Sequence, residues 1–316
     1  MRVAVTRSLF PSVLEELDAV FDEVWVSPHD RPLSQKELSE VLNDYDVVIG
    51  MLVDRVDSSV LNKTSSLKCL ITYSVGVDHL DVNLLRSRGV EIVHTPAVLT
   101  HATAELAMAL MFACSRRLLP AADFVKRNRF TGFSPELFLG IELYGATLGV
   151  VGMGKIGQAM AEKAVGLGMN VLYCGNPKSL SFNAKHCSLE TLLRSSQVVS
   201  LHCPLTSDTR HLIGKESLSL MPDNGILINT ARGPVVDESA LVLHLREHPA
   251  FFAGIDVYEF EPEISKELVS LENVVCLPHV GSATFRARQA MAEICVLEAI
   301  RFGRGEPLHY SLKETR

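Results

Sequence analysis

Gly152-Met153-Gly154-Lys155-Ile156-Gly157 constrains this chain more than any other stretch, because of what flanks it. Residues 147–151 (Thr-Leu-Gly-Val-Val) read as a buried strand, residues 155–168 as a helix, and residues 169–173 as the next strand. A lone G-x-G-x-x-G says little, but in a strand–turn–helix–strand setting it predicts a dinucleotide-binding βαβ unit. Gly152 makes the tight turn, and Gly154 lets the backbone approach a pyrophosphate. Gly157 lets the helix lie close on the sheet, so that the helix N-terminus faces the phosphates.

Strand-like and helix-like segments alternate on both sides of this unit. Residues 2–6, 23–26, 46–50, 68–72 and 90–93 read as strands of a first doubly wound array. A second array runs from 147–151 through 169–173, 197–201, 225–229, 251–255 and 274–277. Between them lie a long apolar helix over 101–126 and a loop over 129–139. The last helix, about 283–302, is expected to return to the first array. The fold class is therefore α/β with two doubly wound domains, a Rossmann dinucleotide-binding domain (99–284) and a flavodoxin-like substrate domain (1–98 with 285–316). A cleft between them is the expected ligand site. With 316 residues the chain has room for both.

A formal charge of −7 argues against a nucleic-acid partner. Glu105, Arg116 and Arg117 interrupt the most apolar helix, which argues against a membrane span. The start Met1-Arg2-Val3-Ala4-Val5-Thr6 reads as a strand rather than a signal peptide. The seven cysteines (Cys69, Cys114, Cys174, Cys187, Cys203, Cys276, Cys295) show no C-x-x-C spacing. That pattern predicts no metal site and no disulfide framework, and reduced thiols fit a cytoplasmic location.

Ligands of open α/β sheets lie beyond the carboxyl ends of the strands, so polar residues there are candidates. Arg232 follows an apolar strand and precedes Gly233; its fork can hold a carboxylate by two parallel hydrogen bonds, though a turn arginine at the surface fits as well. Asp256 directly follows another strand, within reach of a cofactor. His279, before a glycine and a small residue, is the natural proton donor near neutral pH, or else a turn histidine satisfied by backbone. Glu261 lies in an acid-rich loop (Asp256-Val257-Tyr258-Glu259-Phe260-Glu261) that by pattern alone reads as solvated.

These segments, in this order, resemble the D-isomer-specific 2-hydroxyacid dehydrogenase family over essentially the whole chain. Tyr73-Ser74-Val75-Gly76-Val77-Asp78, Thr95-Pro96 with Thr103-Ala104-Glu105, Leu201-His202-Cys203-Pro204-Leu205-Thr206, and Thr230 to Asp237 also match. The phrasing from Ser134-Pro135 to Leu143-Tyr144-Gly145-Ala146-Thr147 is most similar to glyoxylate and hydroxypyruvate reductases. The resemblance implies that Arg232 binds the substrate carboxylate and carbonyl oxygen. It further implies that His279 donates a proton and that Glu261 holds His279. Backbone N–H groups at Val75 and Gly76 would complete a carboxylate pocket, beside an apolar Leu52. The cofactor would meet Thr103, Lys155, Ile156, Cys203, Pro204, Thr206, Thr230, Ala231, Asp256, His279, Gly281 and Ser282. The long helix and the loop after it imply a homodimer.

Two departures bear on specificity. Gly175 stands where an NAD-specific member carries an acid for the ribose 2′-hydroxyl, and Asn176 where an NADP user carries arginine. With no carboxylate to repel a 2′-phosphate and Lys178 nearby, the reading tilts toward NADP over NAD. Met51-Leu52-Val53 offers no charge for a substrate phosphate, so a small unphosphorylated 2-oxoacid is expected. Arg55 is the one exception that could reach a substrate charge, and otherwise reads as a surface arginine beside Asp54 and Asp57. A phosphite dehydrogenase and a cofactor-sensing corepressor share the Arg/Glu/His set and stand as the alternatives.

Overall fold

The computed structural model describes residues 1–61, 65–177 and 179–313, so Lys178 lies outside the described residues. The chain divides into two compact units, Met1–Leu99 with Thr284–Arg316, and Thr100–Ala283.

The first unit holds a five-stranded parallel sheet: β1 (Arg2–Val5), β2 (Glu23–Val26), β3 (Val47–Gly50), β4 (Cys69–Thr72) and β5 (Glu91–Val93). Their order is β2-β1-β3-β4-β5, the flavodoxin-like winding with its switch point between β1 and β3. β3 and β4 are buried at every residue, as strands covered on both faces must be. Helix Phe285–Gly303 belongs to this unit. Its Ala292, Cys295, Val296 and Ala299 pack with Val3, Val5, Ile49 and Ile71.

The second unit holds seven parallel strands: β6 (Thr147–Val151), β7 (Asn170–Cys174), β8 (Lys185–His186), β9 (Val198–Leu201), β10 (Ile226–Asn229), β11 (Phe252–Ile255) and β12 (Val274–Cys276). The order β12-β11-β10-β9-β6-β7-β8 is the Rossmann winding, and its direction reverses between β6 and β9. β8 has no apolar pattern to announce it. Two exposed residues, Lys185 and His186, are strand only because they pair with Leu172 and Tyr173 at the sheet edge.

The helix expected over 101–126 is two helices, Thr100–Ser115 and Leu118–Lys126. Pro120 has no N–H to give and its ring would strike the carbonyl four residues back, so it fits only in a first turn. The break falls at Arg117, whose φ is +49°. The carbonyl of Ser115 then accepts from Ile141 N at 2.8 Å. A Cβ at Gly140 would come within 2.0 Å of that same carbonyl oxygen, so only glycine passes there. Thr100–Ser115 is buried against β10, β11 and helix Lys155–Gly166, with Leu110 and Cys114 beside Gly254. Leu118–Lys126 contributes no buried residue.

All seven cysteines are free; Cys69, Cys114, Cys203 and Cys295 are buried and the other three half-buried. Burial pushes the Cys114 thiol up to about 12 and Cys203 up to about 11, which keeps both protonated and unreactive at neutral pH. No helix among the described residues is long and apolar enough to cross a membrane.

Candidate active site

The three loop glycines do three different jobs. Gly152 has φ +93°, and a Cβ there would lie 2.5 Å from the amide nitrogen of Cys203. The β6 turn is thus pressed against the end of β9, where the winding reverses. Gly157 has its would-be Cβ 2.2 Å from the carbonyl oxygen of Gly152, which is the close helix–strand approach anticipated for it. Gly154 differs: its backbone is extended (φ −74°, ψ −168°), and a Cβ would meet no atom within 4 Å. The fold itself does not need glycine at 154. The open space lies at the N-terminus of helix Lys155–Gly166, which no side chain caps. Unpaired helix N-terminal amides beside bare backbone are what a pyrophosphate requires.

Gly154→Ala is therefore expected to leave stability within ~0.5 kcal/mol while weakening nucleotide binding by ~tenfold or more. Gly152→Ala is expected to cost ~1–3 kcal/mol of stability from backbone strain alone. Thermal unfolding and nucleotide titration of the two variants check this separation.

Other candidate cofactor contacts gather in the same unit. Thr230 is buried just past β10, and its hydroxyl meets no hydrogen-bond partner among the described residues. An orphaned buried hydroxyl costs stability unless a ligand completes it. Thr103, buried on Thr100–Ser115, stands beside Gly281, where a Cβ would lie 3.4 Å from its side chain. Pro204 and Thr206 form a turn in which Thr209 Oγ1 donates to the Pro204 carbonyl at 2.6 Å and accepts from Thr206 N at 2.8 Å. Ser282 is half-buried. Gly175 and Asn176 are exposed past β7. Gly175 has φ +120°, with its would-be Cβ 3.2 Å from Met153 N. That conformation is essentially glycine's alone, so the missing acid at 175 is a backbone requirement of this loop.

Three strand ends carry the polar set. Asn229, the last residue of β10, is 1% exposed; its side-chain Nδ2 donates to Arg232 O at 3.0 Å and its Oδ1 accepts from Ala231 N at 3.1 Å. This clamp shapes the 229–232 turn, and Arg232 leaves it half-buried with Nη1 donating to Ala231 O at 2.7 Å. Gly233 follows, and a Cβ there would come within 1.8 Å of the Tyr258 carbonyl oxygen. The Arg232 turn and the acidic loop after β11 are therefore in backbone contact.

In that loop Glu261 is not a solvated acid. Its Oε1 accepts from Tyr258 N at 2.8 Å, and its Oε2 accepts from Nδ1 of His279 at 2.8 Å. Both side chains are about three-quarters buried. Glu259 points the other way and accepts from His211 at 2.6 Å and Arg210 at 3.2 Å. It also accepts from the Glu238 amide, while Glu238 accepts from the Glu259 amide. This reciprocal lock pins the loop that carries Glu261.

His279 sits at φ +52°, a region that β-carbon sterics disfavour, so the surrounding bonds must hold it there. Its amide donates to Asp256 O at 2.9 Å, and the next amide, of Val280, donates to Asp256 Oδ1 at 2.8 Å. Burial pushes the Asp256 carboxyl up, and the Val280 and Gly281 amides pull it part of the way back. His202 is a structural histidine: Nε2 pairs with Ser200 Oγ at 2.9 Å, and burial pulls its pKa down to about 4.

In the first unit, Leu52 follows β3 and Val75–Gly76 follow β4, all half-buried at carboxyl strand ends. The pairing anticipated around Arg55 is partly different. Arg55, its side chain 83% exposed, pairs with Asp57 at 3.1 Å. Asp54 instead turns inward, accepting from Thr6 Oγ1 at 2.5 Å and Met51 N at 2.7 Å. Asn229 and Glu259 had no place in the motif reading. The signal for Asn229 was a polar residue closing an all-apolar strand; for Glu259 there was none.

A glycine cradle on a Rossmann sheet, with an acid–histidine pair and an arginine at its strand ends, defines a dinucleotide-dependent dehydrogenase. Residues 108–281 match the family model described as D-isomer specific 2-hydroxyacid dehydrogenase, NAD binding domain. The chain is 40% identical to a glyoxylate reductase of Thermococcus litoralis over 96% of this chain and 94% of that one. A Thermus thermophilus crystal structure superposes with a TM-score of 0.91 at 40% identity, covering 99% of this chain and 100% of that one. A NADPH-dependent glyoxylate/hydroxypyruvate reductase from Sinorhizobium meliloti, in complex with NADP and malonate, gives 0.85 at 26% identity, over 98% of this chain and 96% of that one. The chain belongs to the D-isomer-specific 2-hydroxyacid dehydrogenase family. It is an oxidoreductase that uses a nicotinamide dinucleotide to reduce 2-oxoacids.

Proposed function

We propose that the substrate is glyoxylate, reduced to the achiral glycolate, or hydroxypyruvate, reduced to D-glycerate, with NADPH preferred over NADH. The observation that carries this reading is the 2.8 Å pair of His279 and Glu261 at one strand end, in a loop whose backbone touches the Arg232 turn. An ionised carboxylate only accepts, so Glu261 assigns hydrogen to Nδ1 of His279 and leaves Nε2 to deliver a proton. Arg232 binds the substrate carboxylate and carbonyl oxygen, with the Val75 and Gly76 amides and the apolar Leu52 as further substrate contacts. Charge that builds on the carbonyl oxygen is met by the guanidinium and the imidazolium, which supply electrostatic stabilisation and then a proton. The bound reduced nicotinamide supplies the hydride.

The cofactor is held by Gly152, Gly154, Lys155, Ile156 and Gly157 at the pyrophosphate. Thr103, Cys203, Pro204, Thr206, Thr230, Ala231, Asp256, Gly281 and Ser282 complete its contacts. Exposed Gly175 and Asn176 present no carboxylate to a 2′-phosphate, which supports NADP. In this reading 99–284 is the dinucleotide-binding domain and 1–98 with 285–316 the substrate domain. The free, largely buried thiols support a cytoplasmic site of action. Product analysis with both acids tests the proposal: D-glycerate from hydroxypyruvate supports it, and L-glycerate, or no product from either hydroxypyruvate or glyoxylate, removes it.

The second copy in a homodimer would cover the segment 118–139, where Leu118, Leu119, Val125, Phe130, Leu139 and the 91%-exposed Phe133 face outward. Sedimentation at micromolar concentration is expected to give twice the chain mass; a monomer mass would remove the dimer.

A further inference from the structure

The loop after β4 has its peptide carbonyls tied inward by three separate donors. Thr95 N donates to Ser74 O at 2.9 Å. Nδ1 of His94 lies 2.9 Å from Val75 O. Ser74 Oγ donates to Gly76 O at 2.6 Å. The Ser74 hydroxyl is itself seated by Thr72 Oγ1 at 2.9 Å, which lies 3.0 Å from Nε2 of His79. Thr72 and Ser74 are both buried, so this arrangement is part of the unit's interior.

A carbonyl oxygen only accepts, so Nδ1 of His94 carries hydrogen. A trans peptide is planar, with C=O of one residue and N–H of the next on opposite sides. Tying the carbonyls of Ser74, Val75 and Gly76 therefore turns the amides of Val75, Gly76 and Val77 away from those donors. Among the described residues none of these three amides meets an acceptor, although all three residues are half-buried. Half-buried amides without partners are costly unless a ligand supplies the acceptor. Successive backbone N–H groups aimed one way suit a carboxylate.

We infer that His94 is a positioning residue for substrate: by holding the Val75 carbonyl, it aims the amides of Val75, Gly76 and Val77 at the substrate carboxylate. This rests on the 2-oxoacid reading above. His94 touches no reacting atom, and its effect passes through the peptide plane it fixes. Ser74, seated on Thr72, fixes the following plane in the same way.

The test uses His94→Ala and His94→Asn in the full chain. An asparagine Nδ2 stands two bonds from Cβ, as the imidazole Nδ1 does, so it can donate to the same carbonyl. His94→Ala is expected to raise the KM for hydroxypyruvate ~tenfold or more, leaving the dissociation constant for NADPH within about twofold. His94→Asn is expected to return KM to within about threefold of wild type. An unchanged KM in the alanine variant overturns the inference. So does an equal loss of nucleotide affinity, or a KM that asparagine does not restore, because each marks a merely structural role.

Calorimetric titration of oxalate into the same NADP-loaded proteins separates this inference from the proposed function. If wild type reduces no 2-oxoacid but binds oxalate, and His94→Ala alone weakens that binding, the amide pocket stands and the reductase reading falls. Wild type that neither reduces a 2-oxoacid nor binds oxalate overturns both.

Discussion

His279→Asn is expected to lower kcat for hydroxypyruvate by ~10²-fold or more, the usual scale for a lost general acid. Asparagine keeps a donor for Glu261 but has no group that can carry a proton to the carbonyl oxygen. It also tolerates positive φ better than most residues, so the +52° backbone at 279 is retained. Stability and NADPH affinity are therefore expected to stay near wild type, and the loss belongs to the chemical step. The checks are steady-state kinetics with a parallel nucleotide titration. Turnover within a few-fold of wild type would take His279 out of the mechanism.

Arg232→Lys is expected to reduce kcat/KM by ~10- to 100-fold, the loss of one charge-assisted hydrogen bond worth about 1.5–3 kcal/mol. The positive charge remains, but a point ammonium cannot span carboxylate and carbonyl oxygen together as the planar fork does. The Asn229 clamp holds the Arg232 carbonyl and the Ala231 amide rather than the guanidinium, so the turn itself survives the change. Kinetics on hydroxypyruvate measure the effect; unchanged kcat and KM would show that Arg232 is not the clamp.

The sheets were legible because parallel strands buried on both faces are continuous apolar runs, as at Val47–Gly50 and Ile226–Asn229. Gly152 and Gly157 were legible because the tight turn and the close helix approach are local consequences of a βα turn. The break at Arg117 was missed although Pro120 signals it, since an interior proline kinks or breaks a helix. What stayed hidden depends on distant chain. β8 exists only through its pairing with β7. The +120° backbone at Gly175 answers to Met153 across the glycine loop. Glu261 looked like any acid of a solvated loop until Glu259 was locked to Glu238, Arg210 and His211. The His94 contact to Val75 O joins two strand ends that no sequence spacing brings together.

The most direct measurement is a matched steady-state assay of reduced-nicotinamide absorbance with glyoxylate, hydroxypyruvate and pyruvate, each with NADPH and NADH. The expected result is consumption with glyoxylate or hydroxypyruvate, higher kcat/KM than with pyruvate, and NADPH used in preference to NADH. No consumption with any of the six pairs, despite tight nucleotide binding, would contradict the assignment of these two 2-oxoacids as substrates.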